Sequence, residues 1–87
     1  MIELQGTWSN VVVVKYTDRI RSLRESKNMY QKDIAALLRV GQKTYSDYEL
    51  GKTRIPVDSI ILLAEFYNVS MDYICGVSEE KGVFPKR

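Results

Sequence analysis

Histidine is absent from the 87 residues, cysteine occurs once, glycine five times and proline twice. Each scarcity excludes something. Without histidine, and with no carboxylates spaced as metal ligands or as a paired acid and base, neither a metal centre nor ordinary acid–base catalysis has the groups it needs. The glycines form no phosphate-cradling loop. An enzyme is not expected, nor is a cofactor, a metal or a small-molecule ligand. Cys75 has no partner for an internal disulfide, and no basic-then-apolar signal segment precedes the domain, so a reducing cytoplasm is the expected compartment. Apolar runs such as Val11 to Val14 fall far short of the ~20 residues of a membrane helix. No internal repeat or low-complexity tract is present.

What remains is the composition of a folded domain, 45% apolar and 28% charged, which is unlike that of a disordered chain. A chain below the usual ~100 to 200 residues of one domain is expected to hold a single modest core, with no room for a separate catalytic or ligand-sensing unit. The net charge of +2 is unevenly spread. Residues 15–54 hold ten Lys/Arg against five Asp/Glu, whereas residues 55–87 hold three against five. A basic half suggests a polyanionic partner, although charged residues often only solvate a surface.

The chain divides into an N-terminal segment or arm (1–16), a helical domain (17–76) and a tail (77–87). Trp8 to Tyr16 contains four consecutive valines, which lose side-chain freedom in a helix and suit an extended, possibly β, strand. From Asp18 the pattern turns helical, with Ile20, Leu23 and Arg24 on one face, Thr17 as N-cap and an end near Lys27-Asn28. Gln31 to Leu38 carries Ile34, Ala35 and Leu38 on a narrow stripe. Gln42 to Leu50 resumes a helix, with Tyr45 and Tyr48 on one side and Gln42, Lys43, Ser46 and Asp47 on an outer face read as wholly polar. Gly51 suits a left-handed C-terminal cap. Pro56 suits the start of a fourth helix running to Asn68, with Val57, Ile60, Ile61, Ala64 and Tyr67 as its apolar face. Ser70 can cap a last short helix to Cys75, which is read as a small core filler. The tail after Gly76 is read as either frayed or a short strand.

Two short helices joined by a three-residue turn, Gln31 to Leu50, match a helix-turn-helix. A small residue, Ala35, lets the second helix cross closely, and that helix then keeps one face buried and presents the other to a groove. Such pairs also occur as plain packing units.

The stretches RIRSLRES, YQKDIAALL, QKTYSDYELGKTRIP and SIILLAEFYNVSMDYICG resemble the Cro and phage-repressor (xenobiotic-response-element-like) family of helix-turn-helix proteins, over Arg19 to Gly76. The resemblance implies an all-α, five-helix, lambda-repressor-like DNA-binding domain. It implies that Gln31 contacts the DNA backbone and braces the recognition helix, that Gln42, Lys43 and Asp47 read base edges, and that Thr44 and Ser46 reach phosphates or bases. It further implies that Lys52, Thr53 and Arg54 form a backbone-contacting loop, and that Arg24 and Glu49 make a structural ion pair. Three positions depart from the family pattern. Arg39 occupies a turn position usually held by glycine or asparagine, where positive φ would cost arginine roughly 1 kcal/mol. Gly41 replaces the usual serine or threonine cap, and Tyr30 the usual small cap.

Plainer alternatives stand beside these roles. Lys43 and Asp47 could pair on a solvated face, Gln31 could simply cap its helix, and Tyr45 and Tyr48 suit the core better than DNA. The resulting expectation is a sequence-specific transcriptional regulator, of repressor type, that binds a palindromic double-stranded DNA operator as a homodimer. The alternative is a protein-interaction module, antitoxin-like or coactivator-like, that uses the same fold.

Overall fold

The computed structural model describes residues 15–85, in which the helices are α1 Tyr16–Ser26, α2 Gln31–Leu38, α3 Gln42–Leu50, α4 Val57–Tyr67 and α5 Met71–Ile74. The architecture is all-α, with no strand among the described residues. The valine-rich strand expected for Trp8 to Tyr16 lies outside the described residues except at its end, where Tyr16 opens α1. Lys15, not Thr17, stands at the N-cap and supplies only its carbonyl, which accepts from the Arg19 N–H at 3.1 Å. Thr17 lies inside the first turn of the helix.

The core draws Ile20 and Leu23 from α1, Ile34, Ala35 and Leu38 from α2, Tyr45 and Tyr48 from α3, and Ile60, Leu63, Ala64 and Tyr67 from α4, and is closed by Val69 and Ile74. Burying a large side chain of this kind stabilises by roughly 1.5 to 3 kcal/mol. Ala35 is buried in α2, and α2 and α3 pack against each other around this core. Tyr45 and Tyr48 meet edge to face, with ring centroids 6.2 Å apart, an arrangement that suits the ring quadrupoles.

Every helix ends the same way. An N–H two or three residues past the helix end reaches back to a carbonyl five positions earlier: Met29 to Arg24, Val40 to Ala35, Lys52 to Asp47, Val69 to Ala64 and Val77 to Asp72, all within 3.2 Å. This closure puts the intervening residue at positive φ. Those residues are Asn28, Arg39, Gly51, Asn68 and Gly76. Arg39 sits at φ 60° and ψ 41°, so the turn between α2 and α3 imposes the left-handed conformation on a side chain that resists it.

Several expectations are corrected. Val57 is 64% exposed, and Leu63 takes the place assigned to it in the apolar face of α4. Val57 stands at the exposed head of the helix, and its apolar face reaches the core only from Ile60 onward. Cys75 is exposed and not a core filler, because α5 has only four residues and spends its one inward position on Ile74. Ser70 does cap α5, its hydroxyl accepting from the Tyr73 N–H at 3.0 Å. The tail is neither frayed nor a strand through residue 85. The Lys81 carbonyl accepts from the Ser70 N–H at 2.7 Å, the Asn68 side-chain oxygen accepts from the Phe84 N–H at 3.1 Å, and the Phe84 ring rests on the core.

Arg19 carries a structural role that the sequence reading did not assign. Its buried guanidinium donates from Nη1 to the carbonyls of Tyr73 (2.9 Å) and Ser78 (3.2 Å), and lies 3.8 Å from the Tyr73 ring centroid. One cation thus ties α1 to the end of α5 and the start of the tail.

Candidate nucleic-acid interface

A helix can offer side chains to a groove only if its other side is held. In α3 the holding side is Tyr45, Tyr48 and Glu49, all buried. Arg24 grips Glu49 with two parallel bonds, Nε to Oε2 at 2.7 Å and Nη2 to Oε1 at 3.0 Å, while its Nη1 donates to the Met29 carbonyl at 2.9 Å. Gln31, the first residue of α2, donates from Nε2 to Glu49 Oε1 at 3.0 Å. The fork geometry of arginine matches a carboxylate bidentately, which fixes orientation as well as distance. The two side chains are 12% and 3% exposed. Burial works to raise the Glu49 carboxyl, but the hydrogen bonds from Arg24 and Gln31 outweigh it and hold the group below its ordinary value. The same pairing raises Arg24. The Tyr67 hydroxyl is buried without a hydrogen-bond partner, and the Tyr45 hydroxyl is buried beside the Glu49 carboxylate without a well-formed hydrogen bond to it. Burial first, and the Glu49 charge beside them, pushes both phenols well above their ordinary range.

The opposite side of α3 is open. Gln42, Lys43, Ser46 and Asp47 line one shallow groove together with Gln31, Leu50 and Lys52. Lys43 is extended into solvent, and its ammonium stands 3.4 Å from Asp47 Oδ2. An i, i+4 pair whose lysine is exposed contributes only ~0.3 to 0.5 kcal/mol, so Lys43 is cheaply released to another ligand. The outer face is not wholly polar, as the sequence reading had it, because Leu50 is 62% exposed within it. Gly41 at the N-cap offers no side-chain acceptor, which leaves the first N–H groups of α3 without a partner from that residue. At the head of α2, Tyr30 likewise gives no side-chain cap, and Asp33 Oδ2 reaches back to the Tyr30 N–H at 2.9 Å.

The remaining candidates lie apart. Thr44 is half-buried and does not line this groove. Thr53 is exposed in the turn after α3, its N–H directed to the Asp47 carbonyl at 3.3 Å. Arg54 borders a different groove, mostly apolar, formed with Tyr16, Ile55, Val57, Ile60 and Cys75. Among the described residues no three His, Cys, Asp or Glu side chains gather as metal ligands, and no helix is long and apolar enough to cross a membrane.

Comparison with known proteins bears on this geometry. A helix-turn-helix family profile matches residues 20–74, a span that contains both α2 and α3. The chain is 31% identical over 65 residues to the HTH-type transcriptional regulator YobD of Bacillus subtilis, covering 75% of this chain and 58% of that protein. It is 30% identical over 69 residues to the HTH-type transcriptional regulator AnsR of the same organism, covering 79% and 60%. It is 31% identical over 64 residues to the cryptic phage CTXphi transcriptional repressor RstR of Vibrio cholerae, covering 74% and 58%. The aligned part of the chain therefore spans under two thirds of the length of these relatives. No solved structure gives a significant match.

Proposed function

The chain belongs to the Cro and phage-repressor family of helix-turn-helix proteins, and from that premise we propose that it is a sequence-specific DNA-binding regulator of transcription, of the repressor kind. The observation that carries this is the two-sidedness of α3. Gln42, Lys43, Ser46 and Asp47 share one open groove while Arg24, Gln31 and Glu49 lock the helix from behind. Lys43 donates to guanine O6 and N7, Gln42 pairs with adenine, and Asp47 accepts from cytosine N4, each a pattern found in the major groove. Lys52, Thr53 and Arg54 contact phosphates after the recognition helix, and Thr44 and Ser46 reach phosphates or bases. Gln31 joins the phosphate contacts from the head of α2 while its amide holds Glu49.

One such helix makes too few base contacts for high specificity, and a homodimer on a palindromic operator doubles them, with half-sites about one helical turn apart. Bound in this way the protein regulates by covering a promoter, in the cytoplasm.

A gel shift with genomic fragments at two salt concentrations tests the assignment. Discrete bands that weaken with salt are expected, since phosphate contacts release counterions. Absence of any band at micromolar protein would favour the protein-interaction module instead.

A further inference from the structure

We propose that Leu50 is a specificity-determining residue whose side chain contacts the C5 methyl group of a thymine in each operator half-site. The proposal rests on the DNA-reading role of α3 given above and adds a contact of different chemistry.

Leu50 follows Lys43, Ser46 and Asp47 at intervals of seven, four and three, which places all four on one helical face. It is 62% exposed and lines the same groove as Gln42, Lys43, Ser46, Asp47 and Lys52. An isolated exposed leucine needs no explanation in general. The setting distinguishes this one. Leu37 and Leu62 are also partly exposed, at 37% and 45%, but neither lines this groove. Leu50 is the one aliphatic side chain among the groove's polar ones, and the thymine methyl is the apolar feature of the major-groove edge. Leucine offers no donor or acceptor, so it can read no other base feature directly. Its position is also fixed. The Lys52 N–H to Asp47 carbonyl bond at 2.9 Å and the left-handed Gly51 close the last turn of α3 immediately after it.

The test replaces the methyl group itself. An operator is first enriched from a randomised duplex library using the full chain. Each thymine of that operator is then changed singly to uracil, and binding is compared for the wild type and Leu50→Ala by competition. One thymine per half-site is expected at which uracil weakens wild-type binding about fourfold, the worth of roughly one buried methyl, and leaves Leu50→Ala unaffected. Leu50→Met, which keeps an apolar side chain there, is expected to retain the uracil sensitivity. Melting curves confirm that the variants are folded. Equal sensitivity of wild type and Leu50→Ala at every thymine, an operator without thymine, or an equal loss by Leu50→Ala on selected and scrambled duplexes would each overturn the Leu50 contact while leaving α3 as reader. A library that yields no preferred sequence would overturn the reading role of α3, and this contact with it.

Discussion

The two sides of α3 differ in how firmly their charges are held. Behind the helix, Glu49 has two bonds from Arg24 and one from Gln31, all at 3.0 Å or less, with almost no exposure. In front, Lys43 and Asp47 meet at 3.4 Å with the lysine 86% exposed. The same pair of opposite charges thus serves as a fastening on one side and remains free to exchange partners on the other. Solvent accounts for the difference. A buried charge stripped of its partner has no water to replace it, whereas an exposed one does.

The comparison is broken most severely from behind. Arg24→Ala leaves Glu49 buried and unpaired apart from Gln31, and is expected to lower the unfolding free energy by roughly 2 to 4 kcal/mol, measured by urea unfolding. Near-native stability with lost DNA affinity would instead make Arg24 a DNA contact. Acid titration offers a second view. Because the folded Glu49 carboxyl lies below its unfolded value, its contribution is fully present above the ordinary carboxylate pKa of about 4.3 and is lost as pH falls through the lower folded value. Glu49→Gln is therefore expected to be most destabilising near neutral pH, with the gap to wild type narrowing in acid.

Substitutions in front are expected to spare the fold and change recognition. Lys43→Ala or Asp47→Ala should cost about 1 to 3 kcal/mol on the preferred operator and little on random DNA, flattening preference at one or two positions per half-site. Competition over a randomised operator library would show whether preference or only affinity has changed. Lys52 and Arg54, beyond the helix, should behave differently. Replacing either by Ala should weaken selected and random DNA alike, and make the slope of log affinity against log salt shallower by about one unit per lost phosphate contact in each subunit. If the loop variants altered base preference and the helix variants did not, α3 would not be the reader.

How far this arrangement is legible in the sequence follows from the range of the interactions involved. The spans Gln31–Leu38 and Gln42–Leu50 follow from local apolar spacing and from Gly51, because a helix and its cap are decided within a few residues. Five helices follow for the same reason. Arg19 was not legible in its structural role, since the carbonyls it holds lie 54 and 59 positions away. Nor were the exposures of Val57, Leu50 and Cys75, because periodicity identifies an apolar face but not how far the neighbouring element extends over it. The start of α1 was displaced by the valines before it, which drew the extended segment one residue into the helix. At the candidate interface, the polar side chains that share the groove come from one helical turn pattern and its flanks, which spacing reveals. The placement of Thr44 and Arg54 away from that groove depends on tertiary packing.

The smallest effects are expected at the two ends of the motif, where the same backbone closure is made by different residues. Arg39 ends α2 and Gly51 ends α3, both at positive φ and both followed by an N–H that returns to a carbonyl five positions earlier. A Cβ at positive φ costs roughly 1 to 2 kcal/mol, while glycine avoids that cost but loses more backbone freedom on folding, by roughly 0.5 to 1 kcal/mol. The difference decides the sign in each direction. Arg39→Gly is expected to stabilise by about 0.5 to 1 kcal/mol. Gly51→Ala is expected to destabilise by a similar amount, and purely through conformation, because an added Cβ would meet only Thr17 Cγ2 at 3.9 Å, an ordinary contact. Arg39 is exposed, makes no side-chain hydrogen bond with another described residue and does not line the α3 groove. Its replacement should therefore leave operator preference intact, as denaturant unfolding and the library competition together would show. Should Arg39→Gly bind its operator more weakly while folding more stably, the arginine at this strained turn is retained for a contact with DNA, and the reading surface extends across the turn into the end of α2.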